Sequence, residues 1–480
     1  MRRRSVLLIA CCVCVVTSVV AAGATAGVPP DDDPNPCVGT MTSPADGITV
    51  VSVQGARGDA KRDARLVGIG PRGGIEWVHH REGSIWEYDV DPQPDGTLFV
   101  TGTTRVADGD DRGESVFYEL DPETGEVLWS ETTEFVDTHD ADLISDDEVL
   151  VANMRATENV SGNRDRLLVY NRSTDSVTWD WQFRDHYDAN ASVSGEYEHD
   201  WTHVNDVDAV NDTHYLASPR NFDVVVMVNR TSGEVAWELG GPNDDVSLNQ
   251  QHNPAYYESE NGTPTVLVAD SENDRVVEYA RRDGDWTRTW RVGNRTSMSW
   301  PRDADRLPSG NTLVADSRGH RVFEVTPGGE VVWEVSTPWL VYEVERVPLG
   351  DEPDGPTIAD QDATGTVPLH GDARPNNTEQ EPCAAALGNA SQSFEIDYSD
   401  DDDDGDGGII GDIFGGDGSD GDGSDGTDGA GSEGSDGDGS GGDGANDEVV
   451  VDTVGPVPVA VAALALALVA AGVAYRRRAN

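Results

Sequence analysis

Two kinds of short alternating segment recur along the chain between Thr49 and Pro348. In the first kind, two apolar-rich runs flank a tight turn with glycine, as in FYELDPETGEVLWSE, VVMVNRTSGEVAWEL and VFEVTPGGEVVWEV. In the second kind, a hairpin turns at Asp, Asn or Gly, as in HDADLISDDEVLVAN, VNDVDAVNDTHYLAS, RDADRLPSGNTLVAD and YDVDPQPDGTLFVTG. Alternation with a period of two, interrupted by such turns, predicts β-hairpins. Each repeat therefore contributes four short strands.

The first kind of hairpin ends in a tryptophan, and the spacing of these tryptophans, mostly near fifty residues, gives the period of the repeat. The positions are Trp77, Trp129, Trp179, Trp237, Trp290 and Trp333. Four strands per unit, repeated about six times, predict an all-β, six-bladed β-propeller over residues 38–350. A pair of β-sandwiches is the alternative fold, but sandwiches do not repeat with this period.

The two ends of the repeat region are expected to close the ring together. The sixth unit, around Val322 to Val347, lacks a clear closing strand, and the segment from Ile48 to Val53 could complete it from the other end of the chain. Cys37 and Cys383 are the two cysteines outside the N-terminal apolar run, and in an exported chain they most simply form a disulfide. A bridge across so long a loop could contribute up to ~5 kcal/mol. The alternative is two unrelated thiols.

The composition restricts the partners of this protein. The chain has 90 acidic residues against 33 basic ones, a net charge of −57, and Lys61 is its only lysine. An acidic, almost lysine-free surface suggests a halophilic protein that stays soluble in concentrated salt, although a disordered acidic tail explains part of the charge. No nucleic acid partner is expected, because nothing here would neutralise phosphates.

Both chain ends are predicted to be targeting segments. Residues 1–26 combine a basic N-terminal region, an apolar centre and the small-residue cleavage site Ala24-Thr25-Ala26. This arrangement is typical of a signal peptide, either twin-arginine or ordinary secretory. Near the other end, residues 453–475 form an apolar run long enough to cross a bilayer as a transmembrane helix. Three arginines follow at once and should remain in the cytoplasm. We therefore expect a single-pass cell-membrane protein with its ectodomain outside the cell.

Between the propeller and the anchor, the sequence predicts an extension over residues 351–398 and then a stalk. Residues 399–449 are mostly Asp, Gly and Ser, a composition that cannot bury a core, so this stalk should be disordered and extended by its charge. The predicted ectodomain also contains nine Asn-x-Ser/Thr sequons, which make glycosylation possible, although chance would give a few. They are Asn159, Asn171, Asn190, Asn211, Asn229, Asn261, Asn294, Asn376 and Asn389.

The candidate chemistry lies at one position of the repeat. Aligning the second kind of hairpin on its shared aspartate puts Tyr88, His139, Asn205 and Arg302 in one register. His252 in QQHN fits the same register more loosely, and His203 lies two residues before Asn205, so that both should point to one side of the strand. After the following strand, Arg220 shares a register with Arg155 and Arg318.

Equivalent positions of successive blades form a ring around a propeller's axis. We therefore expect His139, His203, His252 and Arg220 to converge at one mouth of the channel. Imidazoles can act as nucleophile, acid or base near neutral pH, and a guanidinium can bind a tetrahedral oxyanion. Such a pocket suits sulfate, phosphate or carboxylate esters. For most of these residues a structural role, in a turn, between blades or in a surface ion pair, is the alternative.

Metal binding is a rival interpretation of the same residues. Three histidines with an open position can hold Zn²⁺ or Cu²⁺, as in a metal-dependent hydrolase. However, no His-x-His or HExxH spacing occurs, and the arginine would repel a cation. The pairs Asp140/Asp142 and Asp303/Asp305 recur with the repeat, so we interpret them as structural ties and not as catalytic carboxylates.

In their order along the chain, these motifs resemble the arylsulfotransferase family, the six-bladed propeller sulfotransferases that do not use nucleotide sulfate (PAPS). The matching pieces are THDAD, DWTHVNDVDAV, ASPRN, WELGGP and QQHN, over roughly residues 60–340. With its acidic composition and predicted anchor, the chain would be a membrane-anchored member of haloarchaeal type.

The resemblance implies transfer of a sulfuryl group from a phenolic sulfate ester to a phenol through a sulfo-histidine. It implies His252 as the nucleophile, His203 and Arg220 as ligands of the sulfuryl oxygens, and His139 as acid or base. It also implies that no metal or cofactor is needed, since a phenolate is a good leaving group. The alternative function is a non-catalytic extracellular propeller that binds ligands or surface glycans through the same mouth.

Overall fold

In the computed structural model, the strands form six sheets of four or five strands each, arranged as the blades of a propeller. The residues described are 35–54, 56–57, 60–61, 64–81, 84–104, 113–154, 162–241, 247–351, 353, 355–372 and 383. The predicted all-β, six-bladed propeller is therefore confirmed. The predicted signal peptide, stalk and transmembrane segment lie outside the described residues, as do Arg155 and the sequons at Asn159, Asn376 and Asn389.

The first strand of each blade is its innermost one, and the first strands of most neighbouring blades pack against each other. Blade 1 contains Val341–Arg346, Thr49–Val53, Arg65–Ile69 and Ile75–His79. Blade 2 contains Ser84–Pro92, Leu98–Thr104, Glu114–Asp121 and Glu126–Val136. Blade 3 contains Ala141–Leu143, Glu148–Asn153, Arg166–Asn171 and Ser176–Gln182.

The other three blades follow the same order from the axis outwards. Blade 4 contains Val204–Asn211, His214–Pro219, Val224–Asn229 and Val235–Gly240. Blade 5 contains His252–Glu258, Pro264–Asp270, Arg275–Arg282, Asp285–Val292 and the added strand Gly365–Val367. Blade 6 contains Pro301–Arg306, Thr312–Asp316, Arg321–Val325, Val331–Ser336 and the added strand Val38–Met41.

Shorter elements complete the described chain. A two-stranded hairpin and four 3-10 helices connect the blades or end their strands. The hairpin pairs Ala56–Arg57 with Ala60–Lys61, and the helices are Phe183–Asp185, Arg220–Phe222, Ser271–Asn273 and Val347–Leu349. No helix among the described residues is long and apolar enough to cross a membrane.

Burial along each blade follows from its position between two neighbours. A middle strand such as Val224–Asn229 is buried on both faces, because adjacent blades cover both sides of the sheet. An outer strand such as Ser176–Gln182 is mostly exposed, with its buried residue near the end. The turn glycines Gly125 and Gly233 have φ values of 72° and 73°, a left-handed conformation in which glycine meets no steric cost. This explains the recurring TGEV and SGEV segments.

Three of the recurring tryptophans join neighbouring blades. Their indole N–H groups donate to turn carbonyls of the next blade, and the indole rings pack between the two sheets. The pairs are Trp179 to Arg230 (3.0 Å), Trp290 to Pro327 (3.0 Å) and Trp333 to Pro71 (3.1 Å). The period found in the sequence is therefore the period of a contact between blades.

The ring closes differently from the sequence-based expectation. The sixth unit has four strands of its own, so the expectation that it lacks a closing strand was wrong. The expected pairing of the N-terminal segment with the end of the repeat is found, but in blade 1: Thr49–Val53 pairs with Val341–Arg346, the innermost strand of that blade, and Val344 lies opposite Val51. The N-terminal strand Val38–Met41 adds to the outer edge of blade 6. Both chain ends thus take part in closure.

Segments that flank the repeat are packed onto blades 5 and 6. In the structure, Cys37 and Cys383 form a disulfide, and the amide of Ser336 in blade 6 donates to the carbonyl of Cys37 (2.8 Å). The segment after residue 350 also packs against the propeller, since Gly365–Val367 pairs in parallel with the outer strand of blade 5. The amide of Ile358 donates to the buried carboxylate of Glu278 at 3.1 Å.

Candidate active site on the propeller axis

A four-residue pattern on the innermost strands places a ring of side chains on the axis. Its first position varies, and its second and fourth positions are acidic in five of the six blades. The six tetrads are Tyr342-Glu343-Val344-Glu345, Tyr88-Asp89-Val90-Asp91, His139-Asp140-Ala141-Asp142, Asn205-Asp206-Val207-Asp208, His252-Asn253-Pro254-Ala255 and Arg302-Asp303-Ala304-Asp305. We call the first positions the upper ring and the acidic positions the lower rings.

Backbone irregularities explain how two successive residues can both reach the channel. In a regular strand, neighbouring side chains point to opposite faces. The pairing register shifts inside the tetrads, for instance between Glu87 and Asp89, between His252 and Ala255, and between Pro301 and Asp303. An extra residue at such a shift re-aims a side chain, which lets both an upper-ring and a lower-ring residue face the axis.

The residue two positions before the upper ring adopts a left-handed conformation in four blades. The φ values are 52° for Asp137, 44° for His203, 47° for Gln250 and 52° for Trp300. Positive φ is uncommon for residues other than glycine, and such outliers cluster at functional sites. In blade 4 this position carries His203, which brings a further imidazole beside the ring. His203 precedes its strand, so the expected strand alternation does not account for its direction.

The upper-ring side chains meet across the axis, not only between adjacent blades. Tyr342 of blade 1 lies near the middle of the ring: its centroid is 5.7 Å from that of His139 and 5.9 Å from that of His252. The His139 and His203 centroids are 5.1 Å apart, and Tyr88 lies 4.1 Å from His139. The structure thus brings together histidines from blades 3, 4 and 5.

His252 is held in one tautomer. Its Nδ1 lies 3.1 Å from the carbonyl oxygen of Gln250 and 2.8 Å from the hydroxyl of Ser271, which itself donates to the carbonyl of Pro301 at 2.7 Å. A carbonyl only accepts and the Ser271 proton is already engaged, so Nδ1 carries the proton. The unshared electron pair of the neutral ring is therefore on Nε2.

The surroundings of His252 also oppose its protonation. The ring is 2 % exposed. Burial, and then the positive charges of Arg302 and Arg220, hold the pKa of His252 well below its usual range, with further contributions from His203 and His139. Desolvation and like charge both disfavour the imidazolium ion. His252 is consequently a neutral base or nucleophile near pH 7.

The other two histidines contact carboxylates. Nδ1 of His203 lies 2.9 Å from an oxygen of Asp200, and Nε2 of His139 lies 3.2 Å from Asp137. An anionic neighbour favours the protonated imidazole and orients the ring. Nδ1 of His139 also lies 3.3 Å from the hydroxyl of Tyr342. These two rings can therefore serve as cationic or proton-exchanging groups.

Guanidinium groups complete the positive surface of the site. Arg220 lies on the 3-10 helix that ends the second strand of blade 4, and it donates to the side chain of Gln250. Arg302 is 1 % exposed and donates to Gln54 at 2.7 Å. Burial first, and then Arg220 and Arg318, lowers the pKa of Arg302 to about 9. None of the described acidic side chains forms an ion pair with Arg302.

The structure brings all four sequence-predicted residues into one site, and it adds two to which sequence reasoning assigned no role. Arg302 shares the aligned register, and its guanidinium carbon lies 4.8 Å from the Tyr342 ring and 4.0 Å from the Trp300 ring. Tyr342 was missed because its tetrad carries glutamates where the aligned repeats carry aspartates. The spacing of two acids after an aromatic residue, as at Tyr88, is the signal that identifies it.

The recurring acidic pairs have two roles. Asp142 and Asp303 accept backbone amides of the next blade, from Ala209 and from Val344 (2.8 Å), in agreement with a structural tie. The acids of both lower rings, these two included, also line the channel. Among the described residues, the groups whose ligand atoms lie close enough to share a metal ion consist of carboxylates, and the three site histidines do not form such a group.

Fold and site together define a class: a six-bladed propeller with a buried pocket of histidine and arginine side chains on its axis. The chain belongs to the arylsulfotransferase (ASST) family, whose family model matches residues 78–337, more than half of the chain. A search of curated proteins found no match.

Solved structures resemble this chain at low similarity. A protein of unknown function from Bacteroides caccae is 14 % identical with a TM-score of 0.43, over 62 % of this chain and 98 % of that one. A periplasmic gluconolactonase from Pseudomonas aeruginosa is 15 % identical with a TM-score of 0.40, over 62 % and 98 %. A virginiamycin B lyase from Staphylococcus aureus is 11 % identical with a TM-score of 0.33, over 52 % and 69 %.

Proposed function

We propose that the axial site transfers a sulfuryl group from a phenolic sulfate ester to a phenol, through an intermediate in which His252 carries the sulfuryl group. The observation that supports this most directly is the placement of His252, whose Nδ1 faces the carbonyl of Gln250 and the hydroxyl of Ser271 in a buried site beside Arg302 and Arg220, which lower its pKa. A nucleophile and the positive charges that bind an oxyanion are both present. Membership of the arylsulfotransferase family supports the choice of sulfate esters.

The first half-reaction uses the electron pair on Nε2 of His252. That pair attacks the sulfur of the aryl sulfate, and the bond between sulfur and the phenolic oxygen breaks. The phenolate leaves with the bonding electrons. Because burial and neighbouring charges keep His252 unprotonated, the attacking pair is available near neutral pH.

The second half-reaction regenerates the histidine. A phenol acceptor gives its proton to a base as its oxygen attacks sulfur, and the nitrogen–sulfur bond breaks with its electrons returning to Nε2. We assign the acid and base role to His139, because the neighbouring Asp137 stabilises its protonated form. Its contact with the Tyr342 hydroxyl joins this proton site to the middle of the ring.

Arg220, Arg302 and His203 are proposed to bind the three sulfuryl oxygens. Negative charge builds up on these oxygens and on the leaving group as the bonds exchange, and fixed cationic donors in a buried site stabilise it. Arg302 is well placed for this role, since its charge is buried and has no acidic partner among the described residues. Replacement of Arg302 should therefore lower kcat more than it weakens the affinity for the donor.

Steady-state kinetics on the full-length protein in high salt would test the proposal. With an aryl sulfate donor and a phenol acceptor, we expect parallel-line, ping-pong kinetics with no added nucleotide sulfate. His252→Asn should reduce kcat by at least ~10³-fold, because no covalent intermediate can form. The matched control is His214→Asn, which replaces a partly exposed histidine on blade 4.

Wild-type turnover that survives in His252→Asn would contradict the nucleophile assignment. No phenol release by correctly folded wild-type protein would instead favour a binding propeller. A loss of activity on addition of a chelator, from protein that remains folded, would indicate the metal-dependent alternative.

We also propose that this propeller works outside the cell, tethered to the membrane by residues 453–475. The disulfide is in agreement with an oxidising compartment, and the net charge of −57 is in agreement with a saline one. Protease added to intact cells should remove the propeller from the cell surface. Complete protection of the propeller, in cells that release it on lysis, would contradict this location.

A further inference from the structure

Beneath the upper ring, the channel is lined by the acids of the lower rings. The side chains around this space, which is partly open to solvent, are acidic apart from Asn253. No lysine, arginine or histidine is among these described lining residues. So many carboxylates cannot all ionise in a confined space unless protons or bound cations compensate them.

Three of these carboxylates converge at the point where the ring closes. Asp303 and Asp305 belong to the innermost strand of blade 6, and Glu345 belongs to the innermost strand of blade 1. One oxygen from each lies within 4.8 Å of the others, and the exposed fractions are 4 %, 3 % and 3 %. Oxygens that bind one Ca²⁺ at 2.3–2.6 Å are separated by at most about 5 Å, so the spacing fits one ion.

Two oxygens of this cluster lack hydrogen-bond donors among the described residues. They are Oδ2 of Asp305 and Oε2 of Glu345, both buried. Asp303 differs, because one of its oxygens accepts the amide of Val344 at 2.8 Å. Buried carboxylate oxygens without a donor are costly unless a proton or a metal ion occupies the space between them.

We propose that Asp303, Asp305 and Glu345 bind a divalent cation of the Ca²⁺ type, which joins blade 6 to blade 1. All the ligand atoms are oxygens, the set that hard cations prefer. The ion would stabilise the ring where a strand from late in the chain completes the first blade. A second cluster, of Asp91, Asp142 and Asp351, has similar spacing but is less buried.

A shared proton between Asp305 and Glu345 is the competing explanation for the two orphaned oxygens. Burial raises the pKa of Asp305 well above its usual range, with Asp303 adding to the effect. Protons and Ca²⁺ would therefore compete for the same oxygens. The two explanations differ in one measurable respect: only the cation site predicts a bound metal ion near neutral pH.

The test is Ca²⁺ binding by the full-length protein after removal of metal with EDTA. Equilibrium dialysis with radioactive Ca²⁺ alone at pH 8 and constant high NaCl gives the stoichiometry and Kd, and a parallel series uses Mg²⁺. We expect the wild type to bind one ion more than the variant with Asp305→Asn and Glu345→Gln. The melting temperature should rise with Ca²⁺ in the wild type and not in that variant.

The control for lost buried charge is Glu87→Gln. Glu87 is fully buried and accepts a hydrogen bond from Ser84 at 2.7 Å, but it does not line the channel. This variant should keep the extra ion and the melting response. Ions held loosely by the acidic C-terminal residues cancel in the comparison, since every variant carries them.

Equal stoichiometry and equal melting response in the wild type and the double variant would overturn the proposal. So would a stripped wild type that takes up neither Ca²⁺ nor Mg²⁺ at the cluster, which would leave the shared proton as the explanation. If the double variant does not fold, the single change Asp305→Asn keeps the side-chain shape. It should then weaken the Kd at least tenfold.

Discussion

The reactivity of His252 depends on which of its nitrogens carries the proton and on how many charges surround it. The carbonyl of Gln250 and the hydroxyl of Ser271 fix the proton on Nδ1, and Gln250 reaches this place through a left-handed backbone conformation with φ of 47°. Arg302 and Arg220 then oppose a second proton. A single side chain thus receives its role from contacts with three blades.

At this scale the effect of Arg302 on His252 can be measured. Burial and the charge of Arg302 lower the pKa of His252 well below 6.5. Protonation of His252 should therefore not reduce activity with the donor between pH 8 and pH 6. In Arg302→Gln one opposing charge is gone, and the acid limb of kcat/KM should move to higher pH. Because a donor to the sulfuryl oxygens is also lost, kcat should fall by roughly 10²–10³-fold.

The measurement is a pH profile of kcat/KM for the aryl sulfate, with Arg318→Gln as the control. Arg318 is exposed at the edge of the site, where its guanidinium carbon lies 4.0 Å from the Trp300 ring, so its effect on the acid limb should be smaller. The groups that titrate near His252 are His203 and His139. An acid limb that stays in place in Arg302→Gln would contradict the electrostatic account.

At the scale of elements, the recurring tetrads show what a repeat pattern can and cannot predict. Alignment on the shared aspartate is enough to put His139, Asn205 and Arg302 in one register, because the innermost strands are equivalent. Such an alignment cannot show that the register shift turns two successive residues towards the axis. For the same reason the acids after His139 and Arg302 are interpreted from the sequence only as ties, although all four also line the channel.

The closure strand was the other element that the pattern did not place. The segment from Ile48 to Val53 was expected to join the last unit of the repeat, and Thr49–Val53 does pair with Val341–Arg346. The assignment of Val341–Arg346 to blade 1, and not to the sixth unit, depends on long-range packing. Tyr342 was not among the predicted residues because the repeats were aligned on a shared aspartate, and its tetrad carries glutamates instead.

The contact between blades through a tryptophan can be tested in isolation. Trp333→Phe removes the hydrogen bond to Pro71 and part of a ring that is 1 % exposed, so it should lower the free energy of unfolding by about 1–3 kcal/mol. Trp129→Phe is the control, since its indole bonds to Glu119 within one blade. The readout is denaturant unfolding of both variants in the same salt. Equal losses of unfolding free energy in the two variants would contradict an additional stabilising effect of the contact between blades.

At the scale of the whole molecule, the propeller confines positive groups and carboxylates to successive levels of one channel. In the absence of metal ions, burial raises the pKa values of Asp303 and of Asp351 to about 7, and the neighbouring carboxylates add to the shift. Aspartates with pKa values raised on folding stabilise the native state below their unfolded pKa. That contribution is lost as the pH rises through the folded value.

In EDTA and constant high salt, the wild type should therefore lose stability relative to Asp303→Asn as the pH rises from about 4.5 to about 7, and the difference should level off above about pH 8. His252 is present in both proteins, so the effect of its lowered pKa cancels in this comparison. Glu87→Gln removes another acid whose pKa burial raises to about 7, so it should change the pH dependence in the same direction. Melting temperatures across the range provide the measurement. A difference between the wild type and Asp303→Asn that does not change with pH would contradict this account of the channel.

The central claim is that His252 carries the sulfuryl group, and the mass of the protein tests it most directly. Full-length protein mixed with an aryl sulfate and no acceptor should gain the mass of one SO₃ group, located by peptide mapping on the segment containing Gln251-His252-Asn253. Addition of a phenol should remove the adduct and yield one equivalent of the new aryl sulfate. An adduct on another residue, or rapid sulfate transfer with no adduct at any time, would contradict the account.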